Sequence, residues 1–238
     1  QPVAGGVYPV VCDPELAGVF AHEAFGHLSE ADFVYANPQA AEMMVLGRAF
    51  GAPSLTIIDD GTLPGLRGTH RYDDEGTPTQ RTELLRDGVL VGRLHSRETA
   101  ARMGERPTGN ARAVGYRYAP LVRMTNTYIQ QGDASLDDMI ADIPLGVYAC
   151  DAVGGETMLE NFSFSAGYGY MIRHGKLAEM VRDIVLSGNL FGTLQDIDAI
   201  GDDLRFGKKG DCGKGPGSLP VSTGAPHIRI RRVAMGGQ

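Results

Sequence analysis

The segment from His22 to His27 contains residues that could hold a catalytic metal ion. It reads His-Glu-Ala-Phe-Gly-His, so a glutamate directly follows the first of two histidines. Neutral imidazole nitrogens bind zinc, and a neighbouring carboxylate can accept a proton from a metal-activated water. We therefore predict that His22 and His27 are metal ligands and that Glu23 is the catalytic base. The alternative is a helix with two unrelated surface histidines.

The spacing of the two histidines differs from that of the common zinc-protease helix, where they are four residues apart on one face. Here the spacing is five, and a regular helix would rotate His27 by roughly 140° away from His22. Gly26 can end or widen the turn because it has no Cβ. The sequence therefore predicts a deformed helix at this glycine.

The elements before the motif favour a helix at this place. Residues 7–12 are typical of a strand, and a helix is predicted over residues 14–25. Asp13 suits the N-cap, Pro14 the first helical position and Glu15 the first turn. An apolar stripe follows, as expected of a helix packed on a core.

Residues far from the motif could complete the metal site. Cys212 lies in the glycine-rich segment 210–217, where its thiol would be accessible and Lys214 would favour the thiolate by charge. A thiolate that joins two histidines leaves one zinc position open for water. Glu30 could be a third ligand, a carboxylate that holds a histidine tautomer, or a solvated acid at the helix end. Cys12 is a reserve ligand.

The remaining polar features give weaker signals. Four histidines stand alone, and we predict surface or loop positions for them: His70, His95, His174 and His227. The acidic loop at residues 73–75 could bind a cation or a peptide amine, although a solvated turn is the simpler interpretation. The polar loop 107–112 could hold a peptide backbone through its Asn and Arg side chains.

Composition restricts the class of protein. The 238 residues are 42% hydrophobic and 21% charged, which is typical of a globular chain. The net charge of −7 argues against a general partner in nucleic acid or an anionic membrane. No run approaches the roughly 20 apolar residues of a membrane-spanning helix. The three cysteines form no disulfide-like framework, so we expect a reducing, cytoplasmic location, with Cys12 and Cys150 buried.

Other elements follow from periodicity and turn signals. Helices are predicted at 40–46, 97–103 and 135–140, strands at 54–59, 118–129, 146–150 and 199–205, a hairpin at 84–92, paired strands within 160–172, and a strand followed by a helix start within 184–194. No linker or repeat divides the chain. We therefore predict one α+β domain over residues 1–238, mostly antiparallel and barrel-like, with a few helices and the metal-binding helix near its start.

Several different motifs follow one another along nearly the whole chain. They are His22–His27, Asp59–Gly61, Asp73–Gln80, Pro107–Asn110, Arg123–Tyr128, Phe162–Ala166 and Cys212–Lys214. Jointly they resemble the C-terminal catalytic part of the TldD/PmbA family of metalloproteases, formerly described as modulators of DNA gyrase. The family's N-terminal α/β domain has no counterpart here and could be a separate chain. The segment after Cys212 also lacks a glutamine expected near residue 217.

The resemblance implies a zinc ion held by His22, His27 and Cys212, with Glu23 as general base. It implies proteolysis of short or unfolded peptides inside a closed dimer. The partner would be a second copy or a related PmbA-type subunit that lacks the zinc motif, and this chain would be the active subunit.

An extended peptide would pair with a sheet edge, which gives low sequence specificity. Candidate substrate-binding residues are Asn110, Arg123, Thr125, Asn126 and Gly213. A rival hypothesis is a non-catalytic scaffold subunit with a structural zinc, which a closed fourth ligand such as Glu30 or Cys12 would favour. A gyrase-associated regulator has support only from the older family name.

Overall fold

The computed structural model describes residues 1–207 and 210–236. Its helices are short: α1 (Pro14–Ala21), α2 (Ala31–Ala36), α3 (Pro38–Met43), α4 (Arg97–Met103), α5 (Leu136–Ala141) and α6 (Leu190–Gln195). A π-helical turn, His22–Gly26, and a 3-10 turn, His27–Ser29, follow α1 directly. No helix among the described residues has both the length and the apolar character of a membrane span.

Strands form most of the regular structure. In chain order they are β1 (Gly6–Cys12), β2 (Ile57–Asp60), β3 (Arg81–Arg86), β4 (Val89–Leu90), β5 (Ala111–Arg112), β6 (Leu121–Val122), β7 (Asn126–Ile129), β8 (Leu145–Met158), β9 (Asn161–Arg173), β10 (Lys176–Val181), β11 (Val185–Asn189), β12 (Ile197–Ile200), β13 (Arg205–Phe206), β14 (Asp211–Lys214), β15 (Gly217–Pro220), β16 (Ser222–Ala225) and β17 (Ile228–Gly236).

Two sheets build the domain. The first runs β1-β8-β9-β11-β17 and closes into a five-stranded barrel because β17 also pairs with β1. Within it only β1 and β8 are parallel. The second has six strands in the order β13-β16-β7-β2-β3-β4, and β14-β15 and β5-β6 form separate hairpins. The predicted α+β, mostly antiparallel and barrel-like fold is confirmed.

Helix α1 lies between the two sheets, where it contacts β8 of the barrel and β7 and β16 of the six-stranded sheet. The Asp13 side chain caps it by accepting a bond from the Leu16 amide at 2.9 Å. On the barrel side, the Phe20 ring meets Phe162 and Phe164 edge-on, with centroids 5.4 and 5.5 Å apart. Aromatic pairs in this geometry contribute beyond their buried area, so α1 and the turn that follows it have a fixed direction.

Two elements with strong local signals lie where the sequence predicts them. Helix α4 begins after Ser96, which forms a capping box with Thr99, and ends at Gly104 in the left-handed conformation. The β3–β4 hairpin turns at Asp87 and Gly88, both with positive φ, as a two-residue Asp-Gly turn requires. Cys12 and Cys150 are buried, as the sequence predicts, whereas Cys212 is also buried, which corrects the predicted accessibility of its thiol.

Several predicted strands have other bounds. The run 118–129 is interrupted between β6 and β7, the run 199–205 between β12 and β13, and 160–172 is one long strand, β9. The predicted strand 146–150 continues to Met158 because β9 pairs with it throughout. The helix predicted over residues 40–46 corresponds to α3, which begins at Pro38 and ends at Met43. Cys212 lies on β14 and not in a loop, and the predicted domain end at residue 238 lies outside the described residues.

Candidate metal centre

The π-helical turn accounts for the five-residue spacing of the histidines. In such a turn an amide bonds to the carbonyl five residues earlier, and here the His27 amide donates to the His22 carbonyl. The two imidazole rings consequently lie side by side, with centroids 5.2 Å apart. The predicted deformation of the helix is confirmed, and it brings together two side chains that a regular helix would separate.

Gly26 occupies a place in this turn where an added side chain would collide with the core. A Cβ there would lie 2.1 Å from Met124 Sδ, well inside contact distance. Met124 is fully buried beneath the turn. Gly26 itself has helical angles that any residue could adopt, so the glycine is needed for the close packing of the turn on Met124 and not for its backbone conformation.

Cys212 meets the two histidines from a distant part of the chain. One donor atom each from His22, His27 and Cys212 lies within 4.8 Å of the others, and we call these three residues the metal cluster. The Cys212 sulfur is 3.3 Å from His27 Nε2. Donor atoms of a tetrahedral zinc site are roughly 3.3–3.8 Å apart, given bonds of about 2.0–2.3 Å. Two nitrogens and one sulfur therefore nearly have the spacing that zinc needs.

The side chains present fit a metal ion by a second criterion. His22 is buried, and its Nδ1 has no hydrogen-bond partner among the described residues. Burial, with smaller contributions from the neighbouring His27 and Arg123, lowers the pKa of His22 to about 3. The ring is thus neutral, which is the form that binds metals, and an unpartnered buried nitrogen is costly unless something binds it.

Glu30 holds His27 in place. Its Oε2 lies 3.1 Å from His27 Nδ1, so it can accept the ring proton and leave Nε2 to face the cluster. Burial alone would lower the pKa of His27, but the contacts with Cys212 and Glu30 raise it to about 10. A proton and a metal ion compete for the same ring nitrogen. Of the roles predicted for Glu30, the structure favours a carboxylate that orients His27, because Glu30 is buried beside that ring and is not one of the three residues of the metal cluster.

Lys214 neutralises the acids behind the cluster. Its ammonium lies 3.0 Å from Glu30 Oε2, 2.7 Å from Asp32 Oδ1 and 2.8 Å from the Val122 carbonyl. The sequence predicts this charge beside the Cys212 thiol, whereas the structure directs it to two carboxylates. Asp32 carries no motif signal, and sequence spacing alone could not have found it.

Glu23 opens onto the same space as the donors. Its side chain is 32% exposed, and its Oε2 is 3.8 Å from His27 Nε2. Burial raises the pKa of Glu23, His27 partly offsets this effect, and Glu30 adds to it. A raised carboxyl pKa brings a general base closer to the pH at which it works.

Arg123 anchors the strand that carries Cys212. Its guanidinium is buried and donates to the Cys212 carbonyl, and weakly to the carbonyls of Lys214 at 3.5 Å and Gly217 at 3.4 Å. One cation therefore holds both strands of the β14–β15 hairpin. The Arg123 guanidinium therefore bonds to the backbone of this hairpin and is not exposed at the surface.

The other predicted substrate-binding residues lie in a separate buried network. Asp59 accepts bonds from the Thr125 amide and hydroxyl, the Thr127 hydroxyl and the Asn110 amide group, at 2.7–2.9 Å. We call these four residues the Asp59 cluster. Asn126 is fully buried beside them and donates to the Asp60 carbonyl at 2.7 Å.

This network bears on the predicted binding set. Asn110, Arg123, Thr125 and Asn126 are all buried, and most of their polar groups bond within the chain, although Arg123 Nε has no partner among the described residues. Their contact with substrate stays a prediction. Gly213 differs from them because it is exposed and lines the cleft beside His27.

The remaining histidines divide into two kinds. His174 lies exposed in the β9–β10 turn, as predicted, and His70 is half-buried in a loop, where its ring nitrogens contact the Gly68 and Gly109 carbonyls. His95 and His227 are buried, which corrects the prediction for both. His95 contacts Glu105, and His227 contacts Asp203 at 2.8 Å, so carboxylates hold both rings.

Comparison with known proteins gives the family. Residues 5–237 match the family model described as the PmbA/TldA metallopeptidase C-terminal domain. The chain belongs to the TldD/PmbA family. A metalloprotease of Synechocystis is 55% identical over 99% of this chain and 51% of its own length. A zinc metalloprotease TldD homolog of Saccharolobus solfataricus is 38% identical over 98% of this chain and 52% of its own length.

Solved structures agree with the fold. A putative modulator of a DNA gyrase from Thermotoga maritima has a TM-score of 0.79 and 26% identity, over 99% of this chain and 51% of that one. TldE from Thermococcus kodakarensis has the same TM-score and 20% identity, over 100% of this chain and 52% of that one, and it shows the fold alone. The chain thus spans about half the length of the relatives it matches.

Proposed function

We propose that this chain is the catalytic part of a zinc metallopeptidase that hydrolyses short or unfolded peptides. The observation that carries the proposal is the convergence of two imidazoles and one thiol within 4.8 Å, beside a partly exposed glutamate. Three protein ligands with an open fourth position are typical of catalytic zinc. A zinc ion bound there would lower the pKa of a water molecule to about 7 and polarise a carbonyl oxygen.

The chain's own residues supply the rest of the chemistry. Glu23 accepts the proton of the attacking water and returns it to the leaving amine. Glu30 keeps His27 in one tautomer and one orientation, and Lys214 keeps Glu30 from carrying an uncompensated buried charge. Glu30 and Lys214 are each fixed by more than one contact, so this part of the site is organised before substrate binds.

An extended peptide has a strand beside the cleft with which it could pair. From Cys150 to Met158, β8 pairs with β9 on one side and with no described strand on the other. Thr157, near the end of this free edge, lines the cleft that also contains Glu23 and His27. Backbone pairing on an open strand binds peptides with little dependence on sequence.

The scaffold hypothesis receives less support. A structural zinc needs a closed fourth position, and no fourth protein donor joins the cluster within the described ranges. Glu30 is already engaged with His27 and Lys214, and Cys12 is part of the hydrophobic core.

Metal removal and restoration test the proposal. The protein should cleave an unstructured peptide when loaded with one zinc ion, lose cleavage after treatment with a chelator, and regain it when zinc is added. Cys212→Ala should lose the zinc, whereas Cys150→Ala, which removes a buried thiol elsewhere, should keep it. Cleavage that persists without metal, or zinc retained at full affinity by Cys212→Ala, would contradict the proposal.

We also propose that the active assembly contains a second copy or a related zinc-lacking subunit, and that it works in the cytoplasm. The likeness to TldE supports the former, because a related subunit shares this fold. Three free thiols support the latter, since oxidising compartments favour disulfides.

A further inference from the structure

A cleft beside the metal cluster has an apolar wall. Its volume is about 240 Å³, and Glu23 and His27 form part of its lining. Leu28, Phe33 and Leu159 supply apolar side chains to the same lining. Pockets for whole small molecules are about 300–1,000 Å³, so this one has room for a single side chain and not for a larger ligand.

The three apolar residues come from different elements. Leu28 lies in the 3-10 turn directly after His27, Phe33 on α2, and Leu159 at the tip of the β8–β9 hairpin. Leu28 is buried, whereas Phe33 and Leu159 are half-buried and pack against the main core. The cleft therefore lies where three elements meet, beside Glu23 and His27.

Leu159 is held in a conformation that leucine rarely adopts. It is the first of two residues that join the paired ends of β8 and β9, Met158 and Asn161, and its φ is 54°. Glycine and asparagine adopt positive φ easily, whereas a branched side chain is strained there. Two-residue hairpin turns require a positive φ, but glycine, asparagine or aspartate usually occupies that position and leucine rarely does. The side chain that causes the strain is the one that lines the cleft.

The cleft also contains polar groups whose hydrogen bonds are incomplete. Glu30 Oε1 and Thr157 Oγ1 are buried and have no partner among the described residues, and both residues line the cleft. Buried polar atoms normally have partners. An amide N–H of a bound peptide could satisfy either oxygen while its side chain occupies the apolar wall.

We propose that this cleft is a specificity subsite that takes one large apolar side chain, aliphatic or aromatic, from the peptide residue next to the scissile bond. The inference rests on the proposed peptidase function, because the occupant is defined by its distance from the catalytic groups. It adds a preference at one position to backbone binding that is otherwise independent of sequence.

The test compares two peptides that differ at one central residue, leucine or alanine, in an otherwise Gly-Ser-Thr sequence. The zinc-loaded protein should cleave the leucine peptide at least about 10-fold more efficiently, since one methylene in an apolar pocket is worth about 10–200-fold. Mass spectrometry should place the cut on one fixed side of that leucine. Equal cleavage of the two peptides would overturn the proposal.

Variants of Leu159 separate the subsite from the fold. Leu159→Gly removes the side chain and relieves the positive φ, so the hairpin should remain and the preference for leucine should disappear. Leu159→Phe should narrow the cleft and favour the alanine peptide. Met158→Ala, at a neighbouring residue that is 72% exposed and outside the cleft, should keep the preference. An unchanged preference in Leu159→Gly would contradict the proposal.

A binding measurement distinguishes the two proposals. Zinc-loaded Glu23→Gln should bind the leucine peptide more tightly than the alanine peptide, and Leu159→Gly in that background should abolish the difference. Selective binding without cleavage by the unsubstituted protein would retain the subsite and overturn the peptidase. Cleavage of both peptides without any preference in binding or rate would retain the peptidase and overturn the subsite.

Discussion

Two clusters of polar residues, the Asp59 cluster and the metal cluster, lie near each other in the fold. They differ in how many of their polar atoms form hydrogen bonds. In the Asp59 cluster, both oxygens of a fully buried carboxylate receive two donors each. In the metal cluster, a buried histidine nitrogen has no partner among the described residues, and a neighbouring glutamate opens onto a cleft. In the sequence, both clusters belong to motifs that are rich in polar residues.

The difference between them separates architecture from chemistry. A buried network with every bond satisfied stabilises one arrangement and has nothing left to offer a ligand. A buried site with an unsatisfied donor or acceptor is costly to the fold, and it persists where something else binds there. We therefore expect substitutions in the Asp59 cluster to act on stability, and substitutions in the metal cluster and around it to act on metal and catalysis.

Glu23→Gln should produce the largest effect. It removes the proton acceptor but keeps the size of the side chain, so cleavage should fall by about 10²–10⁴-fold while zinc content and the free energy of unfolding stay unchanged. Steady-state rates, metal analysis and denaturant melts measure the three quantities. Glu98→Gln, at an exposed position on α4, is the control. If the variant lost as much free energy of unfolding as transition-state stabilisation, Glu23 would act on stability like the Asp59 cluster, which would contradict the distinction between the clusters.

Asp59→Ala should show the opposite behaviour. It leaves buried donors unbonded, each at a cost of about 1–3 kcal/mol, so the free energy of unfolding should fall by on the order of 3 kcal/mol. Asp133→Ala, at an exposed loop position, should change it by less than about 0.5 kcal/mol. If the Asp59 variant is as stable as the control and instead loses catalysis, the cluster belongs to the active site.

Glu30→Gln should weaken metal binding without a comparable loss of stability. Its carboxylate holds the ring of His27, and substitution of such groups reduces metal affinity by about 10–100-fold. Competition titrations with a zinc chelator measure the affinity. Glu156→Gln, exposed on β8, should leave it unchanged. Unaltered affinity in the Glu30 variant would mean that this contact does not position the ligand.

Gly26→Ala should have the smallest effect, and that effect should extend to both stability and zinc affinity. The new Cβ would press on Met124, a flexible side chain, so the cost should be about 1 kcal/mol, at the low end for overpacking. Gly115→Ala meets nothing within 4 Å and should be neutral. Thermal melts and zinc affinity measured together show whether the turn moves. A variant with native stability and native zinc affinity would show that the glycine is dispensable.

Local signals made much of the fold predictable. The cap at Asp13 and the Asp-Gly turn at 87–88 each act over a few residues, and each has the predicted effect. The turn at Gly26 is widened as predicted, but Gly26 itself has ordinary helical angles, and its lack of a Cβ matters for packing on Met124. The interrupted strands of 118–129 and the length of β8 depend on which strands pair, and a single sequence does not contain that information. Residue types suggested Cys212 as a partner of the two histidines, but sequence spacing could not establish this long-range contact with His27, and the family resemblance added the support.

The candidate site was predictable to a similar extent, because its local motif could be recognised and its tertiary contacts could not. Residue types and spacing indicated the two histidines and their glutamate. They could not show that Arg123, Thr125 and Asn126 are buried, because a polar motif looks alike whether its hydrogen bonds are directed inward or outward. They also could not show Asp32 or Leu159 near the metal cluster, since both act through tertiary contacts and neither belongs to a motif.

X-ray absorption at the zinc edge tests the central claim most directly. For the zinc-loaded protein we predict two nitrogen ligands at about 2.0–2.1 Å, one sulfur at about 2.3 Å and one light oxygen ligand, with the sulfur lost in Cys212→Ser. A spectrum without sulfur, a site closed by four protein ligands, or a protein that binds no zinc would contradict the account.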